Sequence, residues 1–149
     1  MNLQTILVPV DFSDVTDKVV QTANELARAF GSRLVLLHVS EPEPDFIGFE
    51  PGPQSVRVGV AREFKAEHQR LEELKQSLAG EGREVLALHI QGSMAEKILH
   101  EAEVQGAGMI VMGSHGRGAL YTLLVGSVTS GVLKSARCPV LVVPSERSK

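Results

Sequence analysis

One cysteine, Cys138, is all the thiol chemistry this chain of 149 residues carries. A lone cysteine makes no internal disulfide, so an oxidising compartment is not implied. Aromatic residues amount to 4 %, which leaves few stacking platforms for single-stranded nucleic acid. Positive charge is not in excess either. The formal net charge is −3, which excludes nucleic-acid binding driven by bulk electrostatics. No apolar run approaches the length of a membrane-spanning helix. The first residues, Met1-Asn2-Leu3-Gln4-Thr5, have neither the basic start nor the apolar stretch of a secretion signal. The expectation is a cytoplasmic protein with no membrane partner and no nucleic-acid partner.

What is there in quantity is an ordinary globular composition, with 43 % apolar and 22 % charged residues. A chain of this length buries enough surface to fold as one domain over residues 1–149 without staples. Its pattern alternates. Ile6-Leu7-Val8-Pro9-Val10, Leu34-Val35-Leu36-Leu37-His38-Val39, Val85-Leu86-Ala87-Leu88-His89-Ile90, Met109-Ile110-Val111-Met112 and Val140-Leu141-Val142-Val143 are short apolar runs of strand length. Continuous runs of this kind belong to strands covered on both faces.

Between them the spacing turns helical. Ser13 is placed to cap a helix whose inner face is Val15, Val19, Val20, Ala23, Leu26, Ala27 and Phe30, ending at Gly31. A second helix is predicted over 58–78, with Val60, Phe64, His68, Leu71, Leu74 and Leu78 inward and Glu63, Lys65, Glu67 and Arg70 in solvent. Ser93-Met94-Ala95-Glu96 has the form of a capping box for a third helix carrying Ile98, Leu99, Ala102 and Val104. A fourth starts near Gly126. The order β-α-β-α-β-α-β-α-β defines an α/β fold: an open, five-stranded parallel sheet with helices on both faces. Residues 41–56 break the pattern with four prolines and read as a surface loop that packs through Phe46, Ile47 and Phe49.

The densest chemical signal lies after the fourth strand. Gly113-Ser114-His115-Gly116-Arg117-Gly118 is followed by Gly126-Ser127-Val128-Thr129-Ser130. Glycines permit close backbone approach, and a helix start near Gly126 offers N–H groups and a positive dipole end to phosphate. Ser127 and Thr129 add hydroxyls, Arg117 adds a charge, and His115 lies inside the loop. A second reading is equally open here: the glycines serve turns and helix packing. No Gly-Lys-Ser/Thr follows the first strand, and Gly113 opens no Gly-x-Gly-x-x-Gly. In an open parallel sheet, ligands bind beyond the carboxyl ends of the strands where strand order reverses. Asp11, at the end of the first strand, is a helix cap or a partner for ribose or an adenine amino group. A phospho-accepting role is disfavoured, since the third strand ends in Gln91-Gly92 and the fifth in Pro144. His38, His68, His89, His100 and His115 show no metal-ligand spacing, and structural or surface roles are expected, with no metal site. Cys138 reads as a small apolar residue. No nucleophile–base set can be assembled, and no catalytic residue is assigned.

Taken together, Ile6-Leu7-Val8-Pro9-Val10-Asp11-Phe12-Ser13, Leu36-Leu37-His38-Val39, the spacing Gly113-x2-Gly116-x9-Gly126-Ser127, and Arg137-Cys138-Pro139-Val140-Leu141-Val142-Val143 resemble the universal stress protein family, in its ATP-binding branch. The resemblance spans nearly the whole chain. It implies strand order 3-2-1-4-5 and a homodimer paired through the fifth strands, at Val140, Leu141, Val142 and Val143. It also implies that Asp11 and Val39 contact adenine and ribose, and that Gly113, Gly116, Gly126, Ser127 and Thr129 hold ribose and phosphates. With the adjoining Pro9, Val10, Met112, His115, Arg117 and Val128, these form the expected binding set for ATP, AMP or ADP, with or without Mg²⁺. Gly108 departs from the pattern, where many members carry an aspartate. The function implied is that of a dimeric, nucleotide-binding stress-response regulator with an unidentified protein partner. Two alternatives stand beside it. One is an interaction module of the same fold that works without nucleotide. The other is an enzyme of slow ATP hydrolysis or autophosphorylation.

Overall fold

The computed structural model describes residues 2–41, 54–80, 82–115 and 125–145. In chain order the elements are β1 (Thr5–Pro9), α1 (Thr16–Phe30), β2 (Arg33–Ser40), α2 (Gln54–Ser77), β3 (Val85–Gln91), α3 (Met94–Val104), β4 (Met109–Gly113), α4 (Ser127–Ser135) and β5 (Val140–Val143). The strands form one sheet in the order β3-β2-β1-β4-β5, with every neighbouring pair parallel. The expected α/β architecture and strand order are therefore present.

Burial explains the continuous apolar runs. In β1 and β2, side chains on alternate positions enter two different cores. Ile6, Val8, Leu34 and Leu36 join Val111 and Val143 beneath α1 and α2, with Val19, Ala23 and Leu71 covering them. Leu7, Val35, Leu37, Val39, Ile110 and Met112 face the other way, against Ile98 and Ala102 of α3 and Val132 of α4. Each fully buried Leu, Ile or Val contributes about 1.5–3 kcal/mol relative to exposure. The strands at the two edges, β3 and β5, are only partly covered.

Helix starts depart from the sequence reading. Ser13 does not cap α1, which begins at Thr16 behind Val15 with no side-chain cap. Instead the Ser13 N–H donates to Asp11 Oδ1 at 3.0 Å, and the Ser13 carbonyl accepts from the Thr16 N–H. Asp11 thus closes an Asx turn, and the buried Ser13 hydroxyl has no hydrogen-bond partner among the described residues. Ser93 is the N-cap of α3, but no side-chain bond completes a capping box. Gly31 does end α1 in the left-handed conformation, at φ 67°. Phe30, assigned to the inner face, is 56 % exposed, and Val104 is exposed as well. Each is the last residue of its helix. α2 begins at Gln54, within the expected loop, and the remainder of that loop, including Phe46, Ile47 and Phe49, lies outside the described residues. Gly108 has a steric reason: a Cβ there would sit 1.4 Å from the Asn2 carbonyl oxygen.

Candidate functional site

The connections divide by face. Helices α1 and α2 cover one side of the sheet, α3 and α4 the other. Chain direction therefore diverges between β1 and β4, and the crevice outside their carboxyl ends is the topological switch point. Ile6 pairs with Met109 and Leu7 with Ile110, so the ends of β1 and β4 lie level. β1 extends alongside β2 as far as Val10, whose N–H donates to the Leu37 carbonyl at 2.8 Å.

Two hydrogen bonds join the halves of the glycine-rich stretch. The Gly126 N–H donates to the Ser114 carbonyl at 2.7 Å. The Thr129 hydroxyl donates to the Gly113 carbonyl at 2.8 Å. The amino end of α4 is thereby pinned against the end of β4. Its N-cap, Gly126, is extended and brings no side chain to the helix end. Behind it the N–H groups of Ser127, Val128 and Thr129 begin the helix and have no partner within it. Ser127 is exposed, while Thr129 is buried with its hydroxyl committed to the strut. Ser114 is buried too. Its N–H donates to the Val143 carbonyl, and its Oγ accepts from the Ser145 N–H and lies 3.0 Å from His115 Nδ1. His115 is buried beside it.

At Gly113 packing supplies a reason of its own. A Cβ there would meet Val15 Cγ1 at 2.8 Å, so side-chain absence lets α1 close on β4. Val10, Val39 and Met112 put their side chains into the two cores. Pro9 ends β1 half-buried. Beyond it Asp11 is half-buried in its turn, and Phe12 takes the left-handed conformation at φ 61°. A non-glycine residue in that region carries strain of order 1–3 kcal/mol and marks a place held by its surroundings. Gly116 and Arg117 lie outside the described residues.

Beside this crevice, at the carboxyl ends of β2 and β3, the fold builds a polar cluster that sequence spacing did not reveal. Glu67, assigned to the solvated face of α2, turns inward, and His68 is the exposed neighbour. The His38 Nδ1–H donates to the Val10 carbonyl at 2.7 Å, and its Nε2 lies 2.9 Å from Glu67 Oε2. The Ser40 hydroxyl donates to the same oxygen at 2.6 Å and lies 2.6 Å from His89 Nε2. His89 Nε2 is 3.5 Å from Glu67 Oε2. Burial works to raise the Glu67 pKa, but the bonds from Ser40 and His38 and the nearby histidine charges hold it below the usual value. Burial, followed by the His38 charge, lowers His89 against the opposing pull of Glu67. Two signals were available: the spacing of Glu67 from Phe64 and Leu71, which places it on the inner face of α2, and the β2–β3 register, which pairs His38 with His89.

A polar depression of about 850 Å³, lined by Arg28, Arg33, Arg83 and Glu84 among others, lies at the opposite, amino end of the strands. There Arg33 is engaged with Thr5 Oγ1 and the Gln105 carbonyl.

The architecture and its switch-point crevice define the class: an open, doubly wound α/β domain of the kind that binds ligands at the carboxyl ends of its strands. Residues 2–144 match the universal stress protein family, and the chain belongs to that family. It is 39 % identical over 140 residues to a universal stress protein of Thermus aquaticus encoded beside a sulfhydrylase gene, covering 94 % of this chain and 98 % of the relative. The solved structure of MJ0577, a universal stress protein of Methanocaldococcus jannaschii, superposes with a TM-score of 0.82 at 28 % identity, over 99 % of this chain and all of that one. A universal stress protein of Archaeoglobus fulgidus, solved in complex with dAMP, shares the fold at 22 % identity and a TM-score of 0.62, over 95 % of this chain and 98 % of that one. Among the described residues, no helix is long and apolar enough to cross a membrane.

Proposed function

We propose that this chain is a single adenine-nucleotide-binding domain, of the ATP-binding branch of its family, that works in the cytoplasm as a dimeric stress-response regulator. The observation that carries the reading is the start of α4, held against β4 by the Gly126–Ser114 and Thr129–Gly113 bonds with no side chain capping it. Three N–H groups and the helix dipole at that end suit a phosphate. A nucleotide fits this donor set: the N–H groups of Ser127, Val128 and Thr129 and the Ser127 hydroxyl would hold phosphate. The backbone at Gly113 and the carboxylate of Asp11 would hold ribose and adenine, with Val10 and Val39 lining the base. Gly116 and Arg117 belong to the same proposed set. The family relative solved with dAMP supports adenine as the base.

A bound ATP supplies a transferable phosphoryl group, with or without Mg²⁺. What this chain's residues contribute is binding and orientation. For the dimer, the supporting feature is β5. It has a strand neighbour on one side only in the described sheet, and Val140, Leu141 and Val142 are partly exposed along it. An apolar edge of that kind favours pairing with a second copy.

The test is direct. The purified full chain is denatured, the released small molecules are identified, and the stripped protein is titrated with ATP, ADP and AMP while its mass is followed by sedimentation. An adenine nucleotide in the extract, saturable binding at one per chain and a dimer mass are expected. No released nucleotide together with no saturable binding would overturn the nucleotide reading, and a monomer at all concentrations would overturn the dimer.

A further inference from the structure

We propose that His38, Glu67 and His89 form a binding site for one divalent transition-metal ion of the Zn²⁺ class, separate from the nucleotide crevice. One ligand atom from each of the three residues lies within 4.8 Å of the other two. The side chains come from β2, α2 and β3, and they are well shielded: 6 % of His38, 14 % of Glu67 and 2 % of His89 is exposed.

The hydrogen-bond inventory leaves room for a cation. A carbonyl oxygen can only accept, so the 2.7 Å contact between His38 Nδ1 and the Val10 carbonyl requires a proton on Nδ1. With Nε2 unprotonated, the ring aims that lone pair at Glu67 Oε2, 2.9 Å away, and two acceptors face each other. The Ser40 hydroxyl donates to Glu67 Oε2 at 2.6 Å and lies 2.6 Å from His89 Nε2, which is a free lone pair whenever that nitrogen carries no proton. His89 Nδ1 is buried and finds no hydrogen-bond partner among the described residues. An ion accepting lone pairs from His38, His89 and the carboxylate removes the clash. Anchoring one imidazole nitrogen on a backbone carbonyl while the other is left to ligate is also the usual outer-sphere arrangement of a metal-binding histidine.

The spacing discriminates among ions. Ligands about 2.0–2.2 Å from a tetrahedral ion stand about 3.3 Å from each other. The two contacts to Glu67 Oε2, at 2.9 Å from His38 Nε2 and 3.5 Å from His89 Nε2, straddle that value. Two imidazoles with one carboxylate suit Zn²⁺ and its substitutes Co²⁺ and Ni²⁺. Mg²⁺ and Ca²⁺ favour all-oxygen shells. The Phe64 ring stacks on His89 with centroids 3.8 Å apart, and Phe12 lies 4.6 Å from His38. These apolar walls limit access of water and restrain both imidazoles.

The experiment uses the full chain, dialysed free of nucleotide and chelator. It is titrated with CoCl₂ and followed by visible absorption, then challenged with ZnCl₂. The expected result is the intense spectrum of low-coordinate Co²⁺, saturating at one ion per chain and bleached by one equivalent of Zn²⁺. Glu67→Gln and His89→Gln are each expected to weaken binding by about 100-fold or more, while His100→Gln, an exposed residue of α3, leaves it unchanged. Far-UV circular dichroism checks that the variants are folded. Zinc-edge X-ray absorption on the wild-type chain decides the matter without them, and two imidazole ligands are expected. Binding that never saturates, a pale hexaaqua-type Co²⁺ spectrum, a shell without histidine, or unchanged affinity in folded Glu67→Gln and His89→Gln would each overturn the proposal. Those results would leave the three residues as a proton-sharing network. Because no nucleotide is present, the outcome is independent of the crevice reading.

Discussion

The start of α4 and the His38–Glu67–His89 cluster lie along the same carboxyl edge of the sheet but are built on opposite plans. The first is made of backbone: consecutive residues of one helix start, pinned to one strand end by the Gly126–Ser114 and Thr129–Gly113 bonds. The second is made of side chains from three elements, at positions 38, 67 and 89, that meet only when β2 pairs with β3 and α2 packs across them. A backbone site tolerates many side chains and is sensitive to any Cβ placed in its way. A side-chain site is indifferent to local geometry and fails when one donor is removed. That difference decides which residues matter at each place, and it can be tested by crossing the perturbations.

The largest effect is expected at Gly126. Its conformation, φ −71° and ψ 170°, is open to any residue, so Gly126→Val folds but sets a branched side chain at the helix start. Nucleotide affinity measured by calorimetry is expected to fall on the order of 100-fold, or about 2.7 kcal/mol, while the Co²⁺ titration stays as in the wild type. Equal loss of both would erase the distinction between the two sites. Next comes Gly113→Ala, whose Cβ collides with Val15. Overpacking of this kind costs about 1–3 kcal/mol, read as a lower denaturation midpoint. An unchanged midpoint would mean that Gly113 serves the ligand alone.

Thr129→Val keeps the shape but removes the bond to the Gly113 carbonyl. A loss of about 1–2 kcal/mol in chemical denaturation is expected, and none would show that the strut is dispensable. The smallest effect concerns Cys138. Burial raises its thiol above the ordinary value, with a backbone hydrogen bond opposing. Its thiolate is disfavoured in the folded chain, so this contribution to stability is present below about pH 8.5 and shrinks as pH rises through the folded value. Alkylation by iodoacetamide at pH 8 is expected to be slower than that of free cysteine and to speed up on unfolding. Equal rates would contradict the raised value.

Much of the scaffold was legible before any coordinates. Strands covered on both faces need unbroken apolar runs, and residues 34–39 supply one. Gly31 stands where a left-handed helix end demands it. The glycine-rich stretch after β4 was visible because a backbone site is contiguous. What failed to read through were the positions of single polar side chains. Ser13 looked like a cap, but α1 starts at Thr16 behind Val15 and the Ser13 hydroxyl stays out of it. Glu67 looked like surface because it is charged, although its spacing from Phe64 and Leu71 puts it on the inner face of α2, where it meets His38 and Ser40. Periodicity records which way a side chain points from its own helix. It carries no record of what polar partner waits there.

By itself, then, the sequence determined the α/β alternation, the buried character of β1 and β2, and the family to which the chain belongs. The first two rest on local conformational preference and on the burial of apolar runs, which act over a few residues, and the third on the match of residues 2–144 to the family. Only the tertiary structure decided that Gly113 is closed against Val15, that Thr129 is a strut, and that His38, Glu67 and His89 meet. Each of these depends on contacts between residues far apart in the chain, whose separation is set by strand register and helix packing.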